Sequence, residues 1–477
     1  MGSKKPRVLI VGAGMAGLAA ARRLHDCAGD LLDLVVLEAG ERIGGRILTS
    51  EFAGAQVEIG ATWIHGIDGN PMYDLVKKAG ALRSRDELGS KSTLPSWERM
   101  DGFPTDPLTL AEGGLTVDPI LLRRISALFS HLKQLIASGE IESDVPSVGA
   151  FLRREFQNCR DDFAGEWIEE AAFAMHECGE RTYTAVDDLD SLDLAAEKEY
   201  LEFPGEHITV PRGYSRVPEF LAEALPPGTV RLRRRVSLIE WREQPVRLHL
   251  EDGMVELAEH VIVTCSLGVL KAGIHSEAGL CFSPALPAAK REAIERLGFG
   301  LVTKLFMELE DGNAEESSPF PSLRMAFDPG RHVSSIPWWI RRTDSICPIH
   351  DGSRVLLAWF VGQEAAEVEA LDNDEIVAGV NATLAGFLPG SGFRIARVRK
   401  TGWGRDHRFL GSYSYVPVRS SGNDQDALSE PLPSLHVLFA GEATHRTRYA
   451  TTHGAYLSGV READRLLQYY NLHTCGY

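Results

Sequence analysis

Residues 7–46 read RVLIVGAGMAGLAAARRLHDCAGDLLDLVVLEAGERIGGR, and this stretch decides the fold. Val8-Leu9-Ile10-Val11 is a short apolar, mostly β-branched run, the pattern of a strand buried on both faces. It leads straight into Gly12-Ala13-Gly14-Met15-Ala16-Gly17 and an alanine-rich amphipathic segment that runs to about His25. Between a strand and a helix the three glycines do different things. Gly12 permits the tight turn, Gly14 lets backbone amides approach a pyrophosphate, and Gly17 lets helix and strand pack closely. The helix N-terminus then faces the anion. A second strand, Leu34 to Leu37, ends in Glu38, where this fold grips a ribose hydroxyl. The glycine string alone reads equally well as a small-residue helix contact; the strand, the helix and Glu38 together make a dinucleotide site the better reading.

Composition sets the bounds. A chain of 477 residues exceeds one ordinary core, so two domains are expected, and 44% hydrophobic with 25% charged residues is typical of a globular protein. The net charge of −17 argues against a nucleic-acid or anionic-membrane surface and suits a cationic substrate, although many enzymes are acidic for solubility alone. Seven scattered cysteines without a CxxC pair point to reduced thiols, with neither a disulfide framework nor a metal site. The apolar run from Val8 to Ala21 is too short and too glycine-rich to span a bilayer. Pro6 stands where a myristoylation signal wants Ser or Thr, Cys475-Gly476-Tyr477 is no peroxisomal tripeptide, and a cytoplasmic protein is expected.

Further along, Val57 to Gly66 reads as a strand running into a turn that presents Trp63 and His65. From about Asp74 to Gly205 helical patterns dominate, at Pro119 to Ser138, Val148 to Phe156 and Phe163 to Cys178, the signature of an inserted helical region. The charge run Asp187 to Asp190 reads as a solvated face. Sheet returns with alternating patterns at Val230 to Trp241 and Val246 to Leu250, a hairpin turn at Asp252-Gly253, and a buried strand from His260 to Thr264. Lys304 opens a strand over Leu305 to Leu309, where a lysine is ordinarily solvent-facing. Residues 311–320 look like a surface loop, and Trp338-Trp339 and Trp359-Phe360 like core aromatics. The strand Leu435 to Ala440, the turn Gly441-Glu442-Ala443-Thr444 and a helix opening at Thr452-His453-Gly454-Ala455 repeat the opening logic, which aims Glu442 and the Thr452 amide at the same cofactor.

Seven stretches, in order along the chain, carry a resemblance: Gly12 to Gly17, Gly44-Gly45-Arg46, Gly60 to Gly66, Thr264 to Lys271, Leu297 to Lys304, Gly411 to Tyr415 and Gly441 to Gly459. Together they resemble the flavin amine oxidases, most closely the polyamine oxidases and among these the plant cytosolic type acting on spermine and thermospermine. The second Gly-Gly turn with its arginines is similar to the diphosphate element of that family, which puts FAD ahead of NAD. The resemblance implies an α/β fold: a doubly wound, Rossmann-like FAD-binding domain from residues 1–85, 205–300 and 400–477, with an α+β substrate-binding domain from 86–204 and 301–399. It implies FAD held non-covalently by Gly12, Gly14, Gly17, Glu38, Gly45, Arg46, Gly60, Ala61, Thr62, Trp63, Val236, Trp403, Glu442 and Thr452; relatives with covalent flavin carry a cysteine where this chain has Tyr449-Ala450-Thr451-Thr452.

Lys304 matches a lysine that holds a water near flavin N5 and assists reoxidation by oxygen. His65 matches a polar residue near the reactive amine, and Tyr449 an aromatic flanking the substrate. Glu180 in Glu-Cys-Gly-Glu resembles the second acid of Glu-Cys-Cys-Glu in spermine oxidases, although Gly179 departs from that pattern. The implied partners are a small polyamine and O2, with no nucleic acid and no membrane, in a monomer or weak oligomer. Three rivals stand beside this reading: a histone-lysine demethylase, whose extra helical module and coiled-coil insertion this sequence lacks; an L-amino-acid oxidase, for which no carboxylate-binding arginine is evident; and a silent flavoprotein. An N-acetylpolyamine oxidase is the nearest alternative.

Overall fold

A computed structural model describes residues 5–82, 107–139, 144–159, 167–276, 278–310, 319–330, 335–350 and 352–472. The first residues of the expected Phe163 to Cys178 helix, most of the 311–320 loop and Cys475 lie outside the described residues.

The strand Arg7–Val11 is the middle of a five-stranded, all-parallel sheet in the order Val437–Phe439, His260–Val263, Arg7–Val11, Asp33–Leu37, Val230–Arg231. Its apolar run is buried because partners stand on both edges, Leu9 pairing with Val261 and Val35, while helices cover the Val8 and Ile10 face and residues of a second sheet, Val236, Ile239, Val246 and Leu248 among them, pack on the Leu9 and Val11 face. The helix Met15–Ala28 crosses to Asp33–Leu37 and packs against the C-terminal helix Thr452–Tyr469. At Gly17 a Cβ would meet Gly12 O at 1.9 Å, and Gly12 itself has φ +108°, so the turn requires glycine at both places. Four sheet strands deliver Gly12, Glu38, Thr264 and Gly441 at their carboxyl ends, the side on which doubly wound sheets bind ligands.

Where one alternating strand is expected from Val230 to Trp241, there are two. Val230–Arg231 joins the parallel sheet and Val236–Glu240 joins a four-stranded sheet with Val246–Leu250, Val255–Ala258 and Cys281–Ser283. The chain changes sheets at Arg233, which takes φ +56°, and Arg234 N donates to Glu38 O at 2.7 Å as it passes. Side-chain alternation continues through such a kink, so pattern alone does not reveal it.

A seven-stranded sheet takes its strands from Leu108–Thr116 and from Val302 to Lys400, with Val302–Leu309 between Val355–Val361 and Ile395–Lys400. Trp339 and Phe360 pack in its core, 5.6 Å between ring centroids, whereas Trp338 is exposed and Trp359 faces a cavity. Only half of each expected aromatic pair is therefore core. Above this sheet stand the helices Pro119–Ser138, capped by Asp118 with proline at its first position, Val148–Asn158 and Trp167–Thr184. Between them Phe173 stacks on Phe156 and meets Phe129 edge-on. The Asp187 to Asp190 run is more than a solvated face: Asp187 pairs with Arg181 and Asp188 caps a short helical turn. No described helix is long and apolar enough to cross a membrane, and no group of three or more potential metal ligands occurs among the described residues.

Candidate active site

One cavity of about 1830 Å³ lies between the parallel sheet and the helices above the seven-stranded sheet. That exceeds the upper end of ordinary small-molecule pockets, roughly 1,000 Å³. It has room for a dinucleotide and a second ligand. Of the residues named from sequence, Gly12, Gly14, Glu38, Gly45, Arg46, Gly60, Ala61, Thr62, Trp63, His65, Glu180, Val236, Lys304, Trp403, Glu442, Tyr449 and Thr452 all line it, while Gly17 lies behind the wall.

At one end the two glycine turns face each other. Gly14 bridges Gly44, and a Cβ on Gly45 would stand 3.1 Å from the Gly14 Cα. Such a cradle admits no side chain and presents backbone amides to a diphosphate. Glu38 accepts Ala13 N at 2.8 Å and Gly40 N at 2.7 Å, which fixes its carboxylate at the strand end and leaves acceptor capacity for a ribose hydroxyl. Arg46 donates to Glu442 Oε1 at 3.0 Å and to Ser412 O at 2.7 Å; Glu442 Oε2 takes Ser414 Oγ at 2.6 Å and Ala450 N at 2.7 Å. Glu442 thus ties the second turn to the last strand and to the approach of the final helix. Thr451, not Thr452, caps that helix, accepting Gly454 N at 2.9 Å; Thr452 is its first residue, with its hydroxyl 2.6 Å from the Tyr214 hydroxyl and its own N–H lacking an intrahelical acceptor. Glycine cradle, carboxylate and helix start fit a dinucleotide.

The middle of the cavity is organised by Lys304. It is the third residue of Val302–Leu309, an interior strand, and only 3% exposed, so the expectation of a solvent-facing edge lysine does not hold. Nζ donates to Glu58 O at 2.6 Å, Gly60 O at 2.9 Å and the Thr62 hydroxyl, and stands 4.5 Å from the Trp359 ring centroid. Three acceptors match the three protons of an ammonium and stabilise its buried charge. They also tie the strand to the Gly60–Thr62 turn. Trp403 Nε1 donates to Ile59 O at 3.2 Å, which fixes a second aromatic wall.

The far end is built from side chains. His65 Nδ1 lies 3.1 Å from His207 Nδ1, and burial, with His207 beside it, lowers the His65 pKa to about 4. Near neutral pH the imidazole is uncharged and does not repel a cation. The Tyr449 hydroxyl donates to Glu197 at 2.5 Å, the Tyr183 hydroxyl to Glu202, and Tyr200 meets Tyr449 edge-on. Burial raises the pKa of Glu197. Glu180 is 8% exposed and carries a partner that local sequence does not announce, the Lys133 ammonium. Lys133, Tyr183, Glu197, Tyr200, Glu202 and His207 are absent from the sequence-derived set. A signal existed for several of them: Glu197-Lys198-Glu199-Tyr200-Leu201-Glu202-Phe203 interleaves acids with aromatics, and Lys133 stands four residues after Phe129 on an otherwise apolar stripe.

A Rossmann-type sheet opening into a large cavity with a buried lysine at its middle defines a dinucleotide-dependent oxidoreductase architecture. The family model for flavin-containing amine oxidoreductases matches residues 15–467. The chain is 51% identical to "Polyamine oxidase 1" of Oryza sativa subsp. japonica, over 98% of each chain, and 44% identical to "Probable polyamine oxidase 5" of Arabidopsis thaliana, over 98% of this chain and 99% of that one. It is 33% identical to the "Peroxisomal N(1)-acetyl-spermine/spermidine oxidase" of Homo sapiens, over 97% and 95%. The chain belongs to the flavin-containing amine oxidoreductase family, and its cofactor is FAD.

Proposed function

We propose that this chain is an FAD-dependent polyamine oxidase that converts spermine or thermospermine to spermidine. In balance, a secondary amine, water and O2 give a primary amine, an aminoaldehyde and hydrogen peroxide. Bound FAD would supply the two-electron acceptor, at N5, for a hydride from the carbon beside the secondary amine. The observation that carries this reading is the continuity of the cavity: glycine cradle, buried lysine, and a far end of tyrosines and carboxylates within one wall.

Gly12, Gly14, Gly45 and Arg46 would hold the diphosphate, Glu38 the ribose, Val236 the adenine, and Gly60, Ala61, Thr62, Trp63 and Trp403 the ring system, with Glu442 fixing Arg46 in place and the Thr452 amide facing the cofactor. No cysteine stands at 449–452, which supports a non-covalent site. Lys304 is buried and held by three acceptors at the middle of the cavity, where its ammonium would stabilise negative charge developing on oxygen. Hydride loss requires the neutral amine, and the uncharged His65 imidazole would accept a hydrogen bond from it without placing a cation nearby. Tyr183, Tyr200 and Tyr449 give an extended polyamine aromatic walls, and the Tyr183 and Tyr449 hydroxyls are turned towards acids.

A second reading, oxidation of N-acetylated polyamines, is favoured by one observation: Lys133 already pairs with Glu180, the acid that would receive a free distal ammonium. We also propose the division into an FAD-binding part (1–85, 205–300, 400–477) and a substrate-binding part, a monomer or weak oligomer, and a cytoplasmic location. The described cysteines are free thiols, which supports the last. The test is product analysis in air with spermine, thermospermine and N1-acetylspermine. Spermidine with equimolar peroxide from the free tetramines is expected; peroxide from none of the three would overturn the reading.

A further inference from the structure

We infer that Lys133 is an internal competitor for the substrate's distal ammonium, and that its pairing with Glu180 sets how strongly the enzyme prefers free polyamines over N-acetylated ones. The inference rests on the polyamine-oxidase reading. Lys133 projects from the helix Pro119–Ser138 and meets Glu180 and the Tyr183 ring, 5.5 Å away, both from Trp167–Thr184. Glu197, from Leu194–Glu197, and Glu202 also act on it electrostatically. Glu197 and Glu202 are occupied by tyrosine hydroxyls, whereas Glu180 is met by a full positive charge.

A primary ammonium on a four-carbon stem is close in chemistry to the end of a polyamine. Glu180 and Tyr183 line the cavity and Lys133 meets them from its own helix, so it compensates Glu180 as the substrate's own terminus would. An uncompensated buried carboxylate is costly, so the pair keeps Glu180 compensated in the empty enzyme. A charged terminus gains Glu180 only by displacing Lys133, which the flexible stem allows. An acetamide terminus needs no displacement and meets no bare charge. Lysine at this position thus lowers discrimination, and its removal exposes Glu180 to the substrate.

The experiment compares kcat/KM for spermine and N1-acetylspermine in wild type, Lys133→Met, Lys133→Arg, Glu180→Gln and the Lys133→Met/Glu180→Gln double variant. Lys133→Met should move the ratio towards spermine by about tenfold, chiefly through a lower KM for spermine. Glu180→Gln, which leaves Lys133 unpaired, should move it the other way, and the double variant should return near wild type. Lys133→Arg should stay within about twofold of wild type. Should Lys133→Met fail to retain flavin, the direction of the Glu180→Gln shift, set against Lys133→Arg, still tests the inference. A ratio unmoved by all four, or shifts of Lys133→Met and Glu180→Gln in the same direction, would overturn the inference while leaving the proposed function intact. A wild type that oxidises neither substrate would overturn both.

Discussion

The two ends of the cavity are built by opposite means. At the nucleotide end backbone does the work: glycines admit a cofactor where side chains would clash, and the few charged residues, Glu38, Arg46 and Glu442, are held by backbone amides and by each other. At the far end side chains do it, in pairs of acid with tyrosine or lysine contributed by separate helices and the loop beyond them. Lys304 stands between, a side chain anchored on the backbone of the Glu58–Thr62 turn. Backbone sites tolerate almost no substitution, whereas paired side chains can be retuned one at a time, so cofactor binding is fixed and substrate choice is adjustable.

The contrast breaks most visibly at Gly17. Gly17→Val would drive a Cβ into Gly12 O, an overpacking cost of about 3 kcal/mol before any cofactor is lost. The expected result is protein with little or no bound flavin, read from the ratio of flavin to protein absorbance; full flavin content would show that the helix need not approach the strand so closely. At the junction, Lys304→Met should slow flavin reoxidation by about 100-fold while changing flavin reduction far less, as measured by stopped-flow of the separate half-reactions. Equal slowing of both would make Lys304 a structural tie only.

Acid should act on the far end first. Burial, with Arg324 nearby, lowers His176 to about 3, and His65 lies at about 4, against about 6.5 in an unfolded chain. Between those values the unfolded chain binds more protons, so stability is fully present above about pH 6.5 and is lost as pH falls towards the folded values. His176→Gln should remove part of that loss, on the order of 2 kcal/mol, in urea melts compared at neutral and acid pH. An unchanged pH dependence would show that His176 is solvated as in a peptide. The smallest effect is expected at the helix that carries Lys133: Asp118→Ala removes a cap that accepts Ile120 N at 2.9 Å. It should cost about 1 kcal/mol in melts and leave flavin content and KM for spermine unaltered; a changed KM would mean that the cap also sets the position of Lys133.

Legibility in the sequence follows the same division. The nucleotide end is written in one contiguous stretch, because a strand, a glycine turn and a helix must follow each other for the site to exist, and residues 7–46 display all three. Pro119 to Ser138 is equally legible, bounded as it is by Asp118-Pro119 and by Gly139 in the left-handed region. The break in Val230 to Trp241 is not, since alternation survives a change of sheet. The burial of Lys304 depends on its strand being interior to a sheet completed some 50 to 100 residues later, which local pattern does not encode. Lys133 and Glu180 are 47 residues apart and meet only when two helices pack.

The most direct measurement is anaerobic mixing of the yellow protein with spermine, thermospermine, N1-acetylspermine, a methylated histone-tail peptide and an L-amino acid, with flavin absorbance followed before and after air is admitted. Rapid bleaching by the tetramines, with recolouring in air, is the predicted result. Bleaching by the peptide or the amino acid alone would contradict it.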